Sequence, residues 1–295
     1  MVLIEAEPRS LLDLAIRAAR DAGNLIRKVS IDDLQADTKS SPTDFVTQMD
    51  AASETMIRQT ILGVRPDDGI IGEEGTSLVS RSGVSWLVDP IDGTTNYLRG
   101  MPNYSISIAA IKDGETLAGV VYDPSLEEAF HAVKGQGAAL NDQPIKCSKT
   151  LFRDSIIGTG FSYLSSNRAR QAEILRALLP CVGDIRRPGS AAVSLCWVAC
   201  GRLDAFYEKG LQPWDYAAGA LIASEAGADV VGAEQDSTMD KLVVASAPSL
   251  TAQLHEMLPA STCSLCRQTC TEKSAPPSVR SAWRAPVVPQ PSGVW

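Results

Sequence analysis

Only two histidines, His131 and His255, occur in 295 residues. One falls in an alternating stretch and the other in a helical one, and both read as surface or structural residues. A Ser-His-Asp triad and phosphohistidine chemistry therefore lack a partner. Basic residues are also scarce, with 27 Lys and Arg against 35 Asp and Glu for a net charge of −8. That argues against nucleic acid as the principal partner, because binding a phosphate backbone needs a basic surface. Small phosphorylated metabolites held through a metal remain compatible with it. No apolar run approaches the roughly eighteen residues of a membrane span. The opening MVLIEAEPRS places Glu5, Glu7 and Pro8 behind a very short apolar start, so neither a membrane segment nor a secretory signal is expected. The seven cysteines are odd in number, and Cys147, Cys181, Cys196 and Cys200 follow no regular spacing. They read as reduced thiols of a cytoplasmic protein.

What is present is a 44% hydrophobic chain, enough for one large α/β domain or two packed lobes. Leu11, Leu12, Leu14, Ile16, Ala18, Ala19, Ala22, Leu25 and Ile26 recur at helical intervals, which predicts a helix over roughly 10–29. A second helix is expected from about Asp50, as its N-cap, to Leu62, with Ala52, Met56, Ile57 and Leu62 on its apolar side. Alternation through Tyr104, Ile106, Ile108 and Ala110, the turn pair Asp113-Gly114, and further short runs to Val133 read as an antiparallel meander. From about 151 strands and helices alternate. Residues 1–150 are expected to form an N-terminal α+β lobe, 151–259 a C-terminal α/β lobe, and 260–295, rich in Ser, Pro and Thr, a disordered tail. Within the tail Cys263, Cys266 and Cys270 form a C-x2-C-x3-C run. Three ligands without a fourth or a packed surround favour an unstructured thiol cluster over a metal site.

The chemistry lies in the acids. In WLVDPIDGTTNY, residues 86–97, an apolar run reads as a buried strand that stops at a polar corner. Pro90 pushes Asp89 into an extended conformation and Gly93 permits a tight turn. Either threonine then starts a helix. In GIIGEEG a short strand likewise delivers Glu73 and Glu74 to a corner, although two neighbouring Glu taken alone read as solvated surface. Asp50 and Asp215 also stand at helix starts. If these acids converge, each pair about 4 Å apart repels by roughly 4 kcal/mol at an effective dielectric near 20. Such a cluster persists by taking up protons or divalent cations. Oxygen-only ligation selects Mg2+, Mn2+ or Ca2+ over zinc.

GEE at 72–74, WLVDPIDGTTNY at 86–97 and PWDYAAGALIASEAG at 213–227 resemble the inositol monophosphatase family, within the lithium-sensitive, Mg2+-dependent phosphatase superfamily, and are similar to the bacterial inositol-1-monophosphatases of actinobacterial type. The resemblance runs from the first helix to about residue 258 and includes KSSPTDFVT and IRRPGSAA. It implies an α/β (α+β) fold, the layered αβαβα sandwich of the sugar phosphatases. It also implies two or three Mg2+ per site, with Mn2+ as a substitute and Li+ as an inhibitor. By the same resemblance Glu73, Asp89 and the carbonyl of Ile91 hold one metal, and Asp89, Asp92 and Asp215 a second. Glu73 and Thr94 orient and help deprotonate the attacking water, with Asp50 behind Thr94, and the amides of Gly93 and Thr94 receive phosphate oxygens.

Substrate choice follows from Glu208, seven residues before Asp215 as in family members acting on inositol phosphates, and from Gly189, Ser190 and Ala191, which match the segment lining that pocket. By the same resemblance Asp92 also faces the ring hydroxyls there. A carboxylate acceptor suits a polyol whose hydroxyls donate. The expected activity is hydrolysis of inositol 1-phosphate to myo-inositol, by a homodimer. The alternatives are another phosphomonoester, such as fructose 1,6-bisphosphate, histidinol phosphate or a nucleotide 3′-phosphate, and a catalytically idle regulatory or RNA-binding protein on the same fold.

Overall fold

Helix α1 (Pro8–Ile26) starts on a proline, whose missing N–H costs nothing in a first turn. Of its predicted stripe, Leu11, Leu12, Leu14, Ala18, Ala19, Ala22 and Ile26 are buried, while Ile16 and Leu25 are half-buried against the same core. The computed structural model describes residues 7–42, 44–232 and 242–260; the expected disordered tail with Cys263, Cys266 and Cys270 lies outside the described residues. A two-stranded hairpin of β1 (Ala36–Thr38) and β2 (Phe45–Thr47) leads into α2 (Gln48–Val64). The N-cap of α2 is Thr47, not Asp50. Asp50 stands at the third helical position and closes a capping box, its Oδ2 accepting from the Thr47 N–H at 2.8 Å and the Thr47 hydroxyl at 2.7 Å. The buried face of α2 also differs from the expected one. Met49, Asp50, Ser53, Glu54, Ile57 and Ile61 are buried, while Ala52, Met56 and Leu62 are only half-buried.

Seven strands follow in sequence order across one sheet: β3 (Gly69–Gly72), β4 (Val84–Asp92), β5 (Ser105–Lys112), β6 (Glu115–Asp123), β7 (Glu128–Val133), β8 (Ala138–Leu140) and β9 (Gln143–Pro144). Only β3 and β4 pair in parallel; the rest form the predicted meander. Asp113 and Gly114 both take positive φ, 52° and 79°, as the two-residue turn between β5 and β6 requires. Strand β4 does not stop at Asp89. It continues to Asp92, and its register with β5 shifts between Asp89 and Asp92. Pro90, with no N–H to give a ladder, sits inside that irregularity. The short helix α3 (Thr94–Leu98) follows Gly93, whose φ of 90° is a left-handed value.

The second sheet is assembled from β10 (Ile156–Thr159), α4 (Ser165–Leu178), β11 (Asp184–Arg186), α5 (Ala191–Ala199), β12 (Ala205–Lys209), α6 (Pro213–Glu225), β13 (Asp229–Val231), β14 (Leu242–Ser246) and α7 (Thr251–Ala260), with strand order β11-β10-β12-β14-β13. Helices α1 and α2 cover one face of the seven-stranded sheet; α5 and α6 fill the space between the sheets; α4 and α7 back the second sheet. The expected αβαβα sandwich is thus the fold. The middle layer is built from small residues, among them Ala192, Ala199, Ala217, Ala218, Ala220 and Ala223. A methyl at Gly119 would come 3.0 Å from the Ala218 Cα, and one at Gly219 would come 2.8 Å from the Leu195 Cβ, so α6 is seated with no slack against β6 and α5. No described helix is long and apolar enough to cross a membrane.

Candidate active site

Three elements bring the acids together. Strand β4 carries Asp89 near its end and Asp92 as its final residue, the turn after β3 carries Glu73, and the first turn of α6 carries Asp215. Each buried carboxylate has a local reason for its orientation. Asp89 Oδ1 accepts from the Ile91 N–H at 3.1 Å. Asp215 closes a capping box on α6, accepting from the Gln212 N–H at 2.7 Å. Asp92 accepts from the Ser190 hydroxyl at 2.6 Å and the Ala192 N–H at 2.7 Å, which ties β4 to the start of α5. Burial raises the pKa of Asp89 well above the usual carboxylate range, and the charges of Glu73, Asp92 and Asp215 add to it. Burial and Asp92 do the same to Asp215. Asp92 is pushed up to about 6 by burial, against its bonds from Ser190 and Ala192.

Thr94 faces Asp50. Its hydroxyl lies 3.2 Å from Asp50 Oδ1 and 3.0 Å from the Ile91 carbonyl, one proton serving two acceptors. Burial raises the pKa of Asp50 despite its bonds from Thr47. Ser190 caps α5, accepting from the Val193 N–H at 3.0 Å while it donates to Asp92. Gly189 has φ 109°, and a methyl there would strike the Asn96 amide at 2.6 Å. Gly93 lies against the Ser190 side chain, 3.4 Å from its Cβ as a methyl would sit, and Ala191 adds a backbone hydrogen bond to Asp92. Glu208, at the end of β12, is pushed up to about 8 by burial and the Asp92 charge, with Arg187 opposing.

Sequence reasoning misses several participants. Lys39, in the loop after β1, donates to Glu73 Oε1 at 2.8 Å and to Glu74. Burial works against its charge, yet the two glutamates outweigh burial and raise its pKa. Glu54, buried on α2, accepts from the Glu74 N–H at 2.8 Å and from Arg58 at 3.4 Å, while Arg58 donates to the Thr76 carbonyl at 3.0 Å. Together they clamp the turn bearing Glu73. The signal was available, since Glu54 stands four residues after Asp50, on the same helix face. Asn96 donates to the carbonyls of Pro102, Asn103 and Pro188, joining three segments around the pocket. Tyr163, nearly half exposed, also stands in this field: partial desolvation raises its pKa, and the charges of Asp44 and Asp92 add to it. A separate cavity of about 1180 Å³ opens at the opposite end of α6, against Glu225, Ala226 and Gly227, and contains none of these acids.

The model of the inositol monophosphatase family matches residues 7–265, a span that includes every one of these side chains. The chain belongs to that family. It is 42% identical over 252 residues to a protein of Pasteurella multocida named Nus factor SuhB, covering 83% of this chain and 94% of that one. It is 40% identical over 269 residues to the inositol-1-monophosphatase SuhB of Mycobacterium tuberculosis, covering 84% and 93%. Among solved structures, the extragenic suppressor protein suhB of Bartonella henselae superposes with a TM-score of 0.79 at 34% identity, covering 84% of this chain and 98% of that one. As a member of this family the protein is a phosphomonoester hydrolase.

The donor set fits a hard divalent cation. Beyond burial, the charges of Glu73, Asp92 and Asp215 raise the proton affinity of Asp89, and those of Asp92 and Glu73 raise that of Asp215; neither histidine stands among them, and a divalent ion relieves the repulsion that protons otherwise relieve. Among the described residues no three His, Cys, Asp or Glu side chains already converge to ligating distance. Glu73 is drawn aside to Lys39, which supplies the neutralising charge there.

Proposed function

We propose that this family member hydrolyses inositol 1-phosphate to myo-inositol and phosphate with Mg2+. The observation that carries the reading is the gathering of Glu73, Asp89, Asp92 and Asp215 at one buried corner, with Asp50 and Thr94 beside it and Glu208 facing the same space. Glu73, Asp89 and the Ile91 carbonyl would hold one Mg2+, and Asp89, Asp92 and Asp215 another. When bound, Mg2+ neutralises phosphate charge and makes water acidic enough to attack at neutral pH. The Thr94 hydroxyl has its proton committed to Asp50 or to the Ile91 carbonyl, so its lone pairs face the pocket as an acceptor for a proton of the attacking water. Asp50 and Glu73 are the carboxylates placed to take that proton onward. The amides of Gly93 and Thr94 would receive phosphate oxygens, since first-turn amides have no partner inside the helix. Ser190 holds Asp92 at the shared edge of the metal and polyol regions, beside Gly189 and Ala191, and Glu208 accepts from ring hydroxyls.

The same reading makes the protein a lithium-sensitive, cytoplasmic homodimer. The name of the Pasteurella relative favours a second role beside transcription complexes; the acidic net charge makes a protein contact there a better fit than RNA. The test is phosphate release from a panel of phosphomonoesters with Mg2+, comparing wild type with Asp92→Asn. Inositol 1-phosphate is expected among the best substrates and the variant close to inactive. Poor turnover of inositol 1-phosphate beside good turnover of other esters would remove the polyol assignment, and an unimpaired Asp92→Asn would remove the metal assignment.

A further inference from the structure

Glu208 reaches the pocket in an unusual way. Strands β10 and β12 pair in parallel, with Thr159 opposite Tyr207, so the next residues lie side by side: Gly160 just past the end of β10, and Glu208 within β12, where it still pairs with Val243 of β14. The Glu208 carboxylate lies over the backbone of Gly160. A methyl at Gly160 would coincide with that carboxylate, with Oε1, Oε2 and Cδ all far inside 3.0 Å. Gly160 does not have a left-handed φ, so conformational freedom does not explain the glycine. Space does. Among the described residues the carboxyl oxygens of Glu208 receive no hydrogen bond, and Arg187 is the one cation whose charge opposes the pull of Asp92 and burial. An acid held in place by shape alone, without a protein donor, is an acceptor kept open for a ligand.

We propose that Gly160 is a specificity-determining position: its bare backbone is the seat that holds Glu208 over the alcohol side of the pocket, and any side chain there displaces the carboxylate and costs the enzyme its preference for polyhydroxylated alcohols. The inference rests on the reading that Glu208 meets the substrate alcohol. The phosphate side of the site, carried by β4, α3 and α6, makes no use of Gly160. Gly160 is thus a positioning residue, acting only through Glu208.

The experiment is a double-mutant cycle of Gly160→Ala, Glu208→Ala and their combination, each assayed with Mg2+ on inositol 1-phosphate and on p-nitrophenyl phosphate, whose alcohol has no further hydroxyls. Gly160→Ala is expected to lower the ratio of kcat/KM for the polyol ester over the aryl ester by about tenfold or more, the loss of one hydrogen bond to a charged group, chiefly through KM for the polyol. On the Glu208→Ala background the same substitution should change the ratio less than twofold, because the carboxylate it displaces is gone. Gly160→Ala should also lower the melting temperature, and the double variant should recover it. An unchanged ratio in Gly160→Ala, or a loss that persists at full size without the Glu208 carboxylate, overturns the seat. If Gly160→Ala does not fold, the cycle still decides: a double variant that folds supports the proposal, and one equally unstable overturns it. A Glu208→Ala variant with an unaltered ratio instead overturns the underlying reading that Glu208 meets the alcohol.

Discussion

Removing the metal should make this protein less stable as pH rises from 5 to 8. Asp92, whose ordinary value is 3.8, is pushed up to about 6, and Glu208, ordinarily 4.5, to about 8. Both are raised, so the folded state binds more protons than the unfolded chain between the two values. Stability contributed by each is fully present below the unfolded pKa and is lost as pH climbs through the folded one. Between pH 5 and 8 Asp92 gives up about 1.4 kcal/mol and Glu208 about 3.5 kcal/mol. Because the Asp92 charge is one cause of the Glu208 shift, the two overlap, and a joint loss of about 3–5 kcal/mol follows. Asp89 and Asp215, also raised, act in the same direction; Lys39 is charged in both states throughout this window and adds no slope. For a domain of this size the loss corresponds to roughly 10 °C in Tm. The assay is thermal unfolding in EDTA at several pH values, repeated in saturating Mg2+, where the ionised acids are the favoured form and the downward slope should flatten or reverse. A metal-free Tm that is flat or rises from pH 5 to 8 would refute the buried, cation-seeking acid cluster.

Four further outcomes are expected. Glu54→Ala leaves the Glu74 N–H without its acceptor and Arg58 with the Thr76 carbonyl alone, and should cost about 1–3 kcal/mol in denaturant unfolding, with Glu54→Gln costing less because its carbonyl oxygen still accepts. Thr94→Ala should lower kcat by about 10²–10⁴ while KM moves little, as measured by steady-state phosphate release; a change confined to KM would move Thr94 from proton handling to binding. Lithium should inhibit in the millimolar range or below, and full activity in saturating lithium would count against the proposed metal chemistry. Deleting the residues beyond 260 should leave phosphatase activity intact, and an inactive truncated chain would show the tail to be part of the enzyme.

The acids of the site were legible because each ends a short apolar run or stands at a helix start, and the three motifs that carry them stand in family order. The layers were legible for a similar reason: α1 and the meander keep clean periods of burial. What escaped were positions whose role depends on a partner distant in sequence. The face of α2 was misassigned because its buried side carries Asp50, Ser53 and Glu54, and polar residues on the inside defeat an amphipathic reading. Asp50 looked like an N-cap because Thr47, the residue that caps, sits in what resembles a loop. Lys39, although it opens the stretch KSSPTDFVT, and Gly160 carry no local sign of their roles; these come from Glu73, 34 residues on in the chain, and from Glu208 on a neighbouring strand.

The tight seating of α6 has an outcome for which substitutions this protein tolerates. Asp215 is delivered by a helix that touches β6 through Ala218 and α5 through Gly219, with no spare volume at either contact. Enlarging either residue would lift the whole rod, and with it a carboxylate that must meet others arriving from a different sheet. Ala217, Ala218, Gly219 and Ala220 have no chemistry to contribute. They should nevertheless rank with the acids among the least replaceable positions in a saturation library, because at this site function is lost through volume as readily as through charge.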